Sequence, residues 1–376
     1  MRIFVSAGET SGDQHAARLV RELRLRSRGL EVAGFGGPAL AAAGASVDMS
    51  LMRDAVMGWT GVVRHAALFS RLLSGLRRRW ADRRPDAVVL VDYPGFNMRV
   101  AAIAHQAGVS AYYYICPQVW AWGSQRLITM RRILRRAFPI LPFEEALYRG
   151  CGIRASYVGH PLTETVPRRF PAAGKVLAAA GLGRRARFGV LLPGSRPGEV
   201  EQHLPVFLEA VRLAGGGLEW VVIAATAVRD RVTRIAAASG VAGVRVAQDP
   251  GFALRSRASL ALAASGTATL ELGFLGVPQA VAYRGHWLNW TIARSIVKVR
   301  WASLVNLLLG REEVREFLQG AMTPGALAGE MRRLMAPAAR VRARARARQL
   351  RSILGERRPS RMVAEALMAD LKGGAR

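Results

Sequence analysis

The sequence predicts an α/β protein made of two domains, each built on a parallel β-sheet. Short apolar runs alternate with longer segments of helical periodicity, which is the pattern of consecutive βαβ units. A polar stretch over 162–186, containing Pro and Arg, interrupts this alternation, which then begins again. With 376 residues, 51% of them hydrophobic, the chain has enough apolar side chains for two separate cores.

The apolar runs are the predicted strands. They cover 2–7, 31–37, 86–94, 109–117, 138–144 and 155–161 in the first domain, and 188–195, 219–225, 244–248, 258–266 and 278–283 in the second. Runs that are apolar throughout are typical of parallel strands covered by helices on both faces. We therefore expect two Rossmann-like domains, 1–165 and 166–340, with a hinge near 159–170.

The ligand site is expected in a cleft between the two domains. Ligands of such sheets bind outside the carboxyl ends of the strands, and both sheets would face this cleft. Residues 341–376 form a basic helical tail, and its return to the N-terminal domain is left open.

The charge of the chain favours anionic partners. Lys and Arg number 55 against 26 Asp and Glu, which gives a net charge of +29. Nucleic acid, an acidic membrane surface and phosphorylated substrates would all fit this excess. A G+C-rich genome that encodes Arg freely would give the same composition. Nucleic acid is the least favoured partner, because no recognised binding motif is present and aromatic residues do not interleave with the basic runs.

The sequence favours a cytoplasmic protein that lies in solution or on a membrane surface. Two cysteines, Cys116 and Cys151, are too few for a disulfide scaffold and indicate a reducing compartment. We expect no signal peptide, and no apolar run reaches the about 18 residues of a spanning helix. A basic amphipathic pattern over 62–80 is the candidate lipid-facing helix. No residue spacing suggests a metal site, and no cofactor is expected.

In the second domain, the motif SGTATLE over 265–271 follows an apolar strand and begins a helix. Backbone N–H groups of Ser265, Gly266 and Thr267 would lie at the positive end of that helix, where phosphate binds well. Glu271 would accept hydrogen bonds from ribose hydroxyls. An ordinary capped helix explains the motif about equally well.

A second motif, LLPGSR over 191–196, also ends a strand of this domain. Gly194 allows a close backbone approach, and the guanidinium of Arg196 suits a diphosphate. The alternative is an ordinary turn with a solvated arginine. Because both motifs would meet at one edge of one sheet, together they favour a nucleotide-sugar site.

In the first domain, two acidic residues are expected at the mouth of the sheet. Glu9 lies in the turn AGETSGD over 7–13, and Asp92 ends the strand of VDYPGFN over 91–97. Paired carboxylates in a cleft suit base catalysis, because one can hold the substrate while the other takes a proton. Helix or turn capping is the alternative for Asp92, as it is for Ser11 and Asn97.

The motif PQVWAW over 117–122 places aromatic rings beside the same mouth, where they would stack on a sugar or cover an apolar chain. A corner of the core is the more common role for such residues. His160, at the predicted hinge, is more often structural than catalytic in such a setting.

Taken together, seven motifs resemble those of lipid-A-disaccharide synthases, in the same order and over about residues 1–320. They are GETSGD (8–13), VDYPGFN (91–97), PQVWAW (117–122), LPFEEALY (141–148), VGHPL (158–162), LLPGSR (191–196) and SGTATLE (265–271). The resemblance implies a GT-B fold and an inverting, metal-independent glycosyltransferase of a Gram-negative bacterium. The implied donor is UDP-2,3-diacylglucosamine, and the implied acceptor is 2,3-diacylglucosamine 1-phosphate. The implied products are a β-1,6-linked disaccharide and UDP, made at the inner face of the inner membrane. A homodimer is left open.

The resemblance also assigns roles to residues. Asp92 is the first choice for the base and Glu9 the second. The implied donor-site residues are Arg196, Ser265, Gly266, Thr267, Glu271, Asn306 and Gln319. The residues implied for the acceptor side or cleft are Ser11, Asn97, Gln118, Trp120 and His160.

The chain departs from the family pattern at a few positions. Gly61 replaces a family glutamate, Val305 replaces the proline of Leu-Pro-Asn, Arg315 replaces a proline, and Cys116 replaces a serine that often precedes PQVWAW. Two alternatives stay open at this point. One is another UDP-N-acetylglucosamine-dependent GT-B enzyme, and the other is an inactive member of the family.

Overall fold

The computed structural model describes residues 1–49, 51, 62–120, 125–215, 217–249, 251–285 and 301–373. It forms two compact units, Met1–Glu164 together with Leu354–Arg376, and Thr165–Ile353. Position 61 and the second tryptophan of PQVWAW lie outside the described residues, as do the side chains of 62–66.

Strands and helices alternate in each unit. The strands are β1 (Arg2–Ala7), β2 (Glu31–Phe35), β3 (Ser46–Asp48), β4 (Ala87–Val91), β5 (Ser110–Tyr114), β6 (Arg136–Phe138), β7 (Phe188–Leu192), β8 (Glu219–Ile223), β9 (Val244–Ala247), β10 (Ala261–Ala264), β11 (Gln279–Tyr283) and β12 (Glu316–Leu318). The helices are α1 (Thr10–Arg26), α2 (Pro38–Ala42), α3 (Val62–Asp82), α4 (Pro94–Gln106), α5 (Gln125–Ile133), α6 (Pro142–Gly150), α7 (Leu162–Thr165), α8 (Ala173–Ala179), α9 (Pro197–Ala214), α10 (Arg229–Ala238), α11 (Thr267–Leu275), α12 (Leu304–Leu309), α13 (Pro324–Leu334), α14 (Pro337–Leu354) and α15 (Pro359–Gly373). Short 3₁₀ turns cover Thr226–Val228, Arg255–Arg257 and Gln319–Ala321.

The two sheets have the same topology. The first runs β3-β2-β1-β4-β5-β6 and the second β12-β11-β10-β7-β8-β9, with every pair of neighbours parallel. This is the Rossmann strand order, in which the direction of the winding reverses between the first and fourth strands. The reversal falls between β1 and β4 in the first unit and between β7 and β10 in the second. These two switch points are where ligands of open α/β sheets bind.

Successive residues of the central strands enter cores on opposite faces of the sheet. In β1, Phe4 packs with Phe35 and Trp80 on one face, while Val5 packs with Leu19 on the other. This period of two, together with burial on both faces, explains why strands such as β4, with the sequence AVVLV, are apolar throughout. The second unit likewise has one core on each face of its sheet.

The C-terminal helices divide between the units. Ala343, Ala347 and Leu350 of α14 are buried in the second unit. The next helix, α15, packs on α1 in the first unit, where Leu367 joins the core that contains Leu19. Among the described helices, none combines the length and the apolar character needed to cross a membrane.

Two predicted strands are wrong. Over 138–144 the strand β6 has already ended at Phe138, and Pro142 begins α6. Proline suits the first turn of a helix because its missing N–H would have no partner there. Over 155–161 only an isolated bridge pairs Ala155 with Ala137, and Gly159 adopts a φ of +97° that an extended strand does not allow.

The sequence also missed β3 and β12, which are three-residue edge strands and too short to give an alternating pattern. The predicted strand over 86–94 ends at Val91, because the next two residues have positive φ.

Candidate active site

The switch point of the first unit brings the two predicted acids to one place. Ala7 at the end of β1 pairs with Val91 at the end of β4, so Glu9 and Asp92 follow neighbouring strands at the same edge. The turns themselves touch, because a Cβ atom on Gly8 would lie 2.2 Å from a ring carbon of Tyr93. Glu9 and Asp92 are both half-buried. Their arrangement offers two carboxyl groups at a crevice, which suits proton abstraction from a bound hydroxyl.

The backbone that carries Asp92 is strained. Asp92 and Tyr93 have φ values of 51° and 49°, and Pro94 then begins α4. Each non-glycine residue in this left-handed region costs on the order of 1–3 kcal/mol and persists only where its surroundings impose it. The strain turns the chain sharply at the end of β4, so that Asp92 lies at the mouth of the sheet instead of continuing the strand.

Asn97 imposes that conformation. Its buried Nδ2 lies 2.6 Å from the carbonyl oxygen of Asp92 and 3.2 Å from those of Val91 and Ser6. Its Oδ1 accepts a hydrogen bond from the Ser6 hydroxyl at 2.6 Å, and the hydroxyl of Tyr113 donates to the Asp92 carbonyl at 2.9 Å. Asn97 thus ties the ends of β1 and β4 together, and its amide is fully occupied in doing so.

The acidic residues of the turn GETSGD have different surroundings. The carboxylate of Asp13 accepts hydrogen bonds from the backbone N–H groups of Gly37, Ala39 and Leu40, so it caps α2. Ser11 is exposed in the first turn of α1, beside Glu9. Asp13 therefore serves the fold, while Glu9 is left at the mouth of the sheet.

The other acceptor-side candidates differ in exposure. Gln118 is exposed after β5, and half-buried Trp120 donates from Nε1 to the carboxyl of Glu144 at 2.9 Å. His160 is buried, and its Nδ1 accepts from the backbone N–H of Leu162 at 3.1 Å. Burial lowers the pKa of His160 to about 3, with a smaller contribution from His15. His160 is therefore neutral at ordinary pH and shapes the turn before α7.

The switch point of the second unit brings together the two predicted phosphate motifs. Leu192 at the end of β7 pairs with Ala263 in β10, so the PGSR and SGT turns leave the sheet side by side. Gly194 has a φ of 120°, and a Cβ atom there would lie 2.4 Å from a carboxyl oxygen of Glu199. That carboxylate accepts from the backbone N–H groups of Ser195 and Arg196, while the Arg196 side chain is 65% exposed.

The SGT turn forms the start of α11. Gly266 precedes the helix and Thr267 is its first residue. Apart from its two chain neighbours, none of the described residues has an atom within 4 Å of the place where a Gly266 Cβ would be. The Ser265 hydroxyl donates to the carbonyl of Ala302 at 2.9 Å, which fixes the turn. The open space beside the first N–H groups of a nine-residue helix suits an anionic group.

Each switch point is braced by one buried side chain. In the second unit, His203 on α9 links two segments at the end of the sheet, as Asn97 does in the first unit. Its Nδ1 lies 2.8 Å from the carbonyl oxygen of Pro193, and its Nε2 accepts from the backbone N–H of Arg284 at 3.0 Å. The brace joins the turn after β7 to the residue that follows β11.

Glu271 belongs to a buried ionic triad that the sequence did not predict. Arg255 bonds both to the carboxylate of Glu271 and, at 3.1 Å, to that of Asp249. Asp249 also accepts from the backbone N–H groups of Leu254 and Arg255. Burial raises the pKa of Glu271, and the positive charge of Arg255 opposes that shift. No local motif marks this pairing, because Arg255 and Glu271 are sixteen residues apart.

The two remaining donor-site candidates have contrasting surroundings. The buried Asn306 accepts from the N–H groups of Glu313 and Val314 and donates to the carbonyl of Val314 and the carboxylate of Glu316. Gln319 follows β12 with a φ of 52°, and its buried Nε2 has no hydrogen-bond partner among the residues that the structure describes. Asn306 therefore fixes the loop that follows its helix, whereas the side chain of Gln319 has an N–H group that no described residue accepts.

Within the described parts of the chain, no group of three or more His, Cys, Asp or Glu residues could hold a metal ion.

Two solved structures illustrate the proteins that share this architecture. The UDP-GlcNAc 2-epimerase from Neisseria meningitidis, solved with UDP-GlcNAc bound, has a TM-score of 0.68 at 13% identity, over 98% of this chain and 100% of that one. The glycotransferase of kitacinnamycin has a TM-score of 0.57 at 18% identity, over 97% of both chains. The fold and the two switch points thus define a GT-B protein, as the sequence predicted.

The family is shown by closer matches. The family model described as lipid-A-disaccharide synthetase matches residues 3–369. The lipid-A-disaccharide synthase of Myxococcus xanthus is 40% identical over 99% of this chain and 98% of that protein, and that of Anaeromyxobacter dehalogenans strain 2CP-C is 37% identical over the same shares. The chain belongs to the lipid-A-disaccharide synthetase family. It is a glycosyltransferase of lipid A biosynthesis, so this prediction is confirmed over that of another UDP-N-acetylglucosamine-dependent enzyme.

Proposed function

We propose that the chain transfers 2,3-diacylglucosamine from its UDP derivative to the 6-hydroxyl of 2,3-diacylglucosamine 1-phosphate. The new bond joins the acceptor O6 to the donor C1, and the bond between C1 and the diphosphate oxygen breaks with its electron pair. The products are the β-1,6 disaccharide and UDP. The observation that carries the proposal is that two acids follow neighbouring strands at the switch point of the first unit, while two turns that suit an anionic group leave the sheet at the switch point of the second.

The second unit would hold the donor. Backbone N–H groups at the start of α11 and the exposed guanidinium of Arg196 would bind the diphosphate. These groups oppose the negative charge that develops as UDP leaves, without requiring a metal ion or another cofactor. Glu271 would accept hydrogen bonds from the ribose hydroxyls. The Nε2 of Gln319, which has no hydrogen-bond partner among the described residues, would donate a hydrogen bond to the UDP-sugar.

The first unit would supply the base. Asp92 is our first choice, because the strained turn aims this residue at the mouth of the sheet and Asn97 holds it there. Glu9, on the touching turn, is the second choice. The proton of the acceptor hydroxyl passes to the base as O6 attacks, so the base must be ionised at the start of the reaction.

The proposal is tested by incubating the purified protein with both diacylglucosamine substrates. We expect mass spectrometry to detect the disaccharide and an equal amount of UDP. Absence of product, alongside a control synthase that is active under the same conditions, would contradict the proposal.

Two variants assign the base. Asp92→Asn should lower turnover by at least about a hundredfold, the scale of general-base catalysis, and leave UDP affinity unchanged. Glu9→Gln should have the smaller effect. If Glu9→Gln abolishes turnover while Asp92→Asn retains it, the two roles are exchanged.

We also propose that the protein acts at an anionic membrane surface on the cytoplasmic side, where both acylated substrates would reside. The supporting feature is an exposed basic face on α3, formed by Arg71, Arg77, Arg78 and Arg79. Leu72, Leu73, Leu76 and Trp80 of the same helix are buried in the core of the first unit. Attraction would therefore come from charge and not from insertion of these apolar residues.

A further inference from the structure

The carboxyl of Glu144 is fully buried and joins two motifs that are distant in sequence. It belongs to LPFEEALY and lies in the first turn of α6. Its Oε2 accepts from the backbone N–H groups of Ile140 and Leu141 at 3.2 and 3.0 Å. Its Oε1 accepts from Nε1 of Trp120, in PQVWAW, at 2.9 Å. The first two bonds cap the helix, whereas the third reaches outside it.

Helix α6 holds both ends of the segment from Pro117 to Trp120. The hydroxyl of Tyr148, one turn further along α6, donates to the carbonyl of Pro117 at 2.6 Å. Glu144 holds the other end through the indole. The segment is therefore fixed against α6 by two side-chain hydrogen bonds, of which the one to Glu144 holds the indole ring.

The indole is also in contact with a second ring. Phe143, the neighbour of Glu144, packs edge-on against Trp120 with ring centroids 5.4 Å apart. Phe143 is 37% exposed, although large apolar side chains are usually covered. Trp120 and Phe143, called here the aromatic pair, lie beyond the end of β5, which pairs with β4 just before Asp92.

The surroundings of Glu144 bring the pKa of its carboxyl close to neutral pH. Burial raises the pKa of Glu144 to about 7, opposed by the hydrogen bonds from Trp120, Leu141 and Ile140. The other titratable groups that face it are Cys116, Tyr148 and Tyr157, and burial raises the pKa of each. Those groups stay neutral when Glu144 ionises, so the carboxyl changes charge on its own.

We propose that Glu144 is a positioning residue that holds the aromatic pair as an apolar platform for the acylated acceptor sugar. The inference rests on the proposed function, since it names the side of the reaction that the pair serves. The ionised carboxylate has acceptor lone pairs for all three N–H donors. Protonation places a hydrogen on one oxygen, which weakens the hold on either the indole or the start of α6. The pair should accordingly be better ordered above about pH 7 than below it.

The first test is kinetic. Glu144→Gln keeps the volume of the side chain but has only one acceptor oxygen, so it cannot hold both the indole and the helix start. We expect the KM for the acceptor to rise about tenfold at pH 8, the scale of one lost charge-assisted hydrogen bond. The KM for the donor and kcat should be unchanged. Trp120→Phe should raise the acceptor KM similarly, and the double variant should be no worse than either single one.

Controls separate positioning from damage to the fold. Glu145→Gln makes the same chemical change at the next residue, which pairs with Arg149 on the surface, and should leave the acceptor KM unchanged. In the wild type the acceptor KM should rise as the pH falls through about 7, and in Glu144→Gln it should be independent of pH over that range. Equal losses in kcat and in both KM values would overturn the positioning role.

The second test needs no activity. In protein labelled with 5-fluorotryptophan, the ¹⁹F resonance that is missing from Trp120→Phe belongs to Trp120. We expect the Trp120 resonance to shift as the pH passes through about 7 in the wild type and to stay constant in Glu144→Gln. The resonance of the core residue Trp80 should not shift with pH in either protein. A Trp120 resonance that does not change with pH in the wild type would overturn the inference. If the Trp120 resonance titrates but the protein makes no disaccharide, Glu144 does hold Trp120 and the proposed function is refuted.

Discussion

At the residue scale, we expect Arg255 to determine how readily Glu271 accepts the proposed hydrogen bond from ribose. Burial raises the pKa of Glu271, and the positive charge of Arg255, which pairs with its carboxyl, opposes that rise. In Arg255→Gln the pKa should rise further, so the protonated form would persist to higher pH. UDP affinity should then fall about tenfold near neutrality and recover as the pH is raised. Calorimetric titration of UDP at several pH values measures both effects.

The controls for this prediction lie in the same unit. Arg229→Gln removes an exposed arginine from α10 and should leave UDP affinity unchanged. Glu271→Gln should weaken UDP binding, and adding Arg255→Gln to it should cost no further affinity. If the two losses add, Arg255 does not act through Glu271.

Gln319 and Asn306 form a matched pair for separating binding from folding. Gln319→Ala removes an amide whose Nε2 has no partner among the described residues, so it should lower affinity for the UDP-sugar and leave the melting temperature nearly unchanged. Asn306→Ala removes four hydrogen bonds made by a buried side chain and should lower the free energy of unfolding by about 2–4 kcal/mol. Thermal denaturation and UDP-sugar titration of both variants check the contrast. A Gln319→Ala protein that binds normally would remove Gln319 from the donor site.

The placement of candidate site residues at strand ends could be predicted from the sequence. Glu9, Asp92, Arg196 and Gly266 each follow an apolar run, and parallel strands bring such positions to one edge. Side chains that act through a distant partner could not be predicted. Trp120 and Glu144 are 24 residues apart, and Asn97 and Ser6 are 91 residues apart. Nothing local in the sequence specifies which buried polar groups will meet.

At the scale of elements, α15 should be required for the stability of the first unit although it is the last helix of the chain. Leu367 is fully buried between α15 and α1. Leu367→Ala should lower the free energy of unfolding by about 2–5 kcal/mol, the usual cost of removing a buried leucine side chain. Arg361→Ala, on the exposed face of the same helix, should change it by less than about 1 kcal/mol. Denaturant unfolding measures both, and equal effects would show that α15 contributes little to this core.

The length of an element governs how well the sequence predicts it. Central strands such as β4 and β7 were located because their five residues, AVVLV and FGVLL, include no polar side chain and so require burial on both faces of the sheet. The edge strands β3 and β12 have three residues each and are defined by the strand beside them. The apolar run over 138–144 misled the prediction, because Pro142 and Glu144 start a helix whose capping bonds outweigh its apolar character.

At the scale of the whole molecule, the net charge of +29 has both structural and surface components. One arginine is internal: Arg346 is buried and donates to the carbonyls of Glu313 and Val277. Arg351 is exposed but also stabilises the fold, because it donates to the carbonyl of Phe274. Others are exposed in clusters on α3 and on α14. Only the exposed clusters can attract an anionic surface, so the excess charge does not by itself measure affinity for membranes.

A charge-matched comparison can locate the membrane-facing surface. Arg77, Arg78 and Arg79 are exposed on α3, and Arg342, Arg344 and Arg348 are exposed on α14. Replacing each trio with Gln removes the same charge from a different helix. If α3 faces the membrane, its triple variant should bind vesicles containing phosphatidylglycerol up to about a hundredfold more weakly, at about 1 kcal/mol for each arginine near the surface. The α14 variant should bind nearly as well as the wild type.

Salt dependence distinguishes attraction by charge from apolar insertion. Because Leu72, Leu73, Leu76 and Trp80 of α3 are buried in the core, wild-type binding should weaken steadily as salt is raised and should be negligible on neutral phosphatidylcholine vesicles. Sedimentation of the vesicles with bound protein measures both. Equal losses in the two triple variants would mean that attraction is spread over the whole basic surface. Binding that is insensitive to salt would contradict an electrostatic contact and point to apolar side chains outside this core.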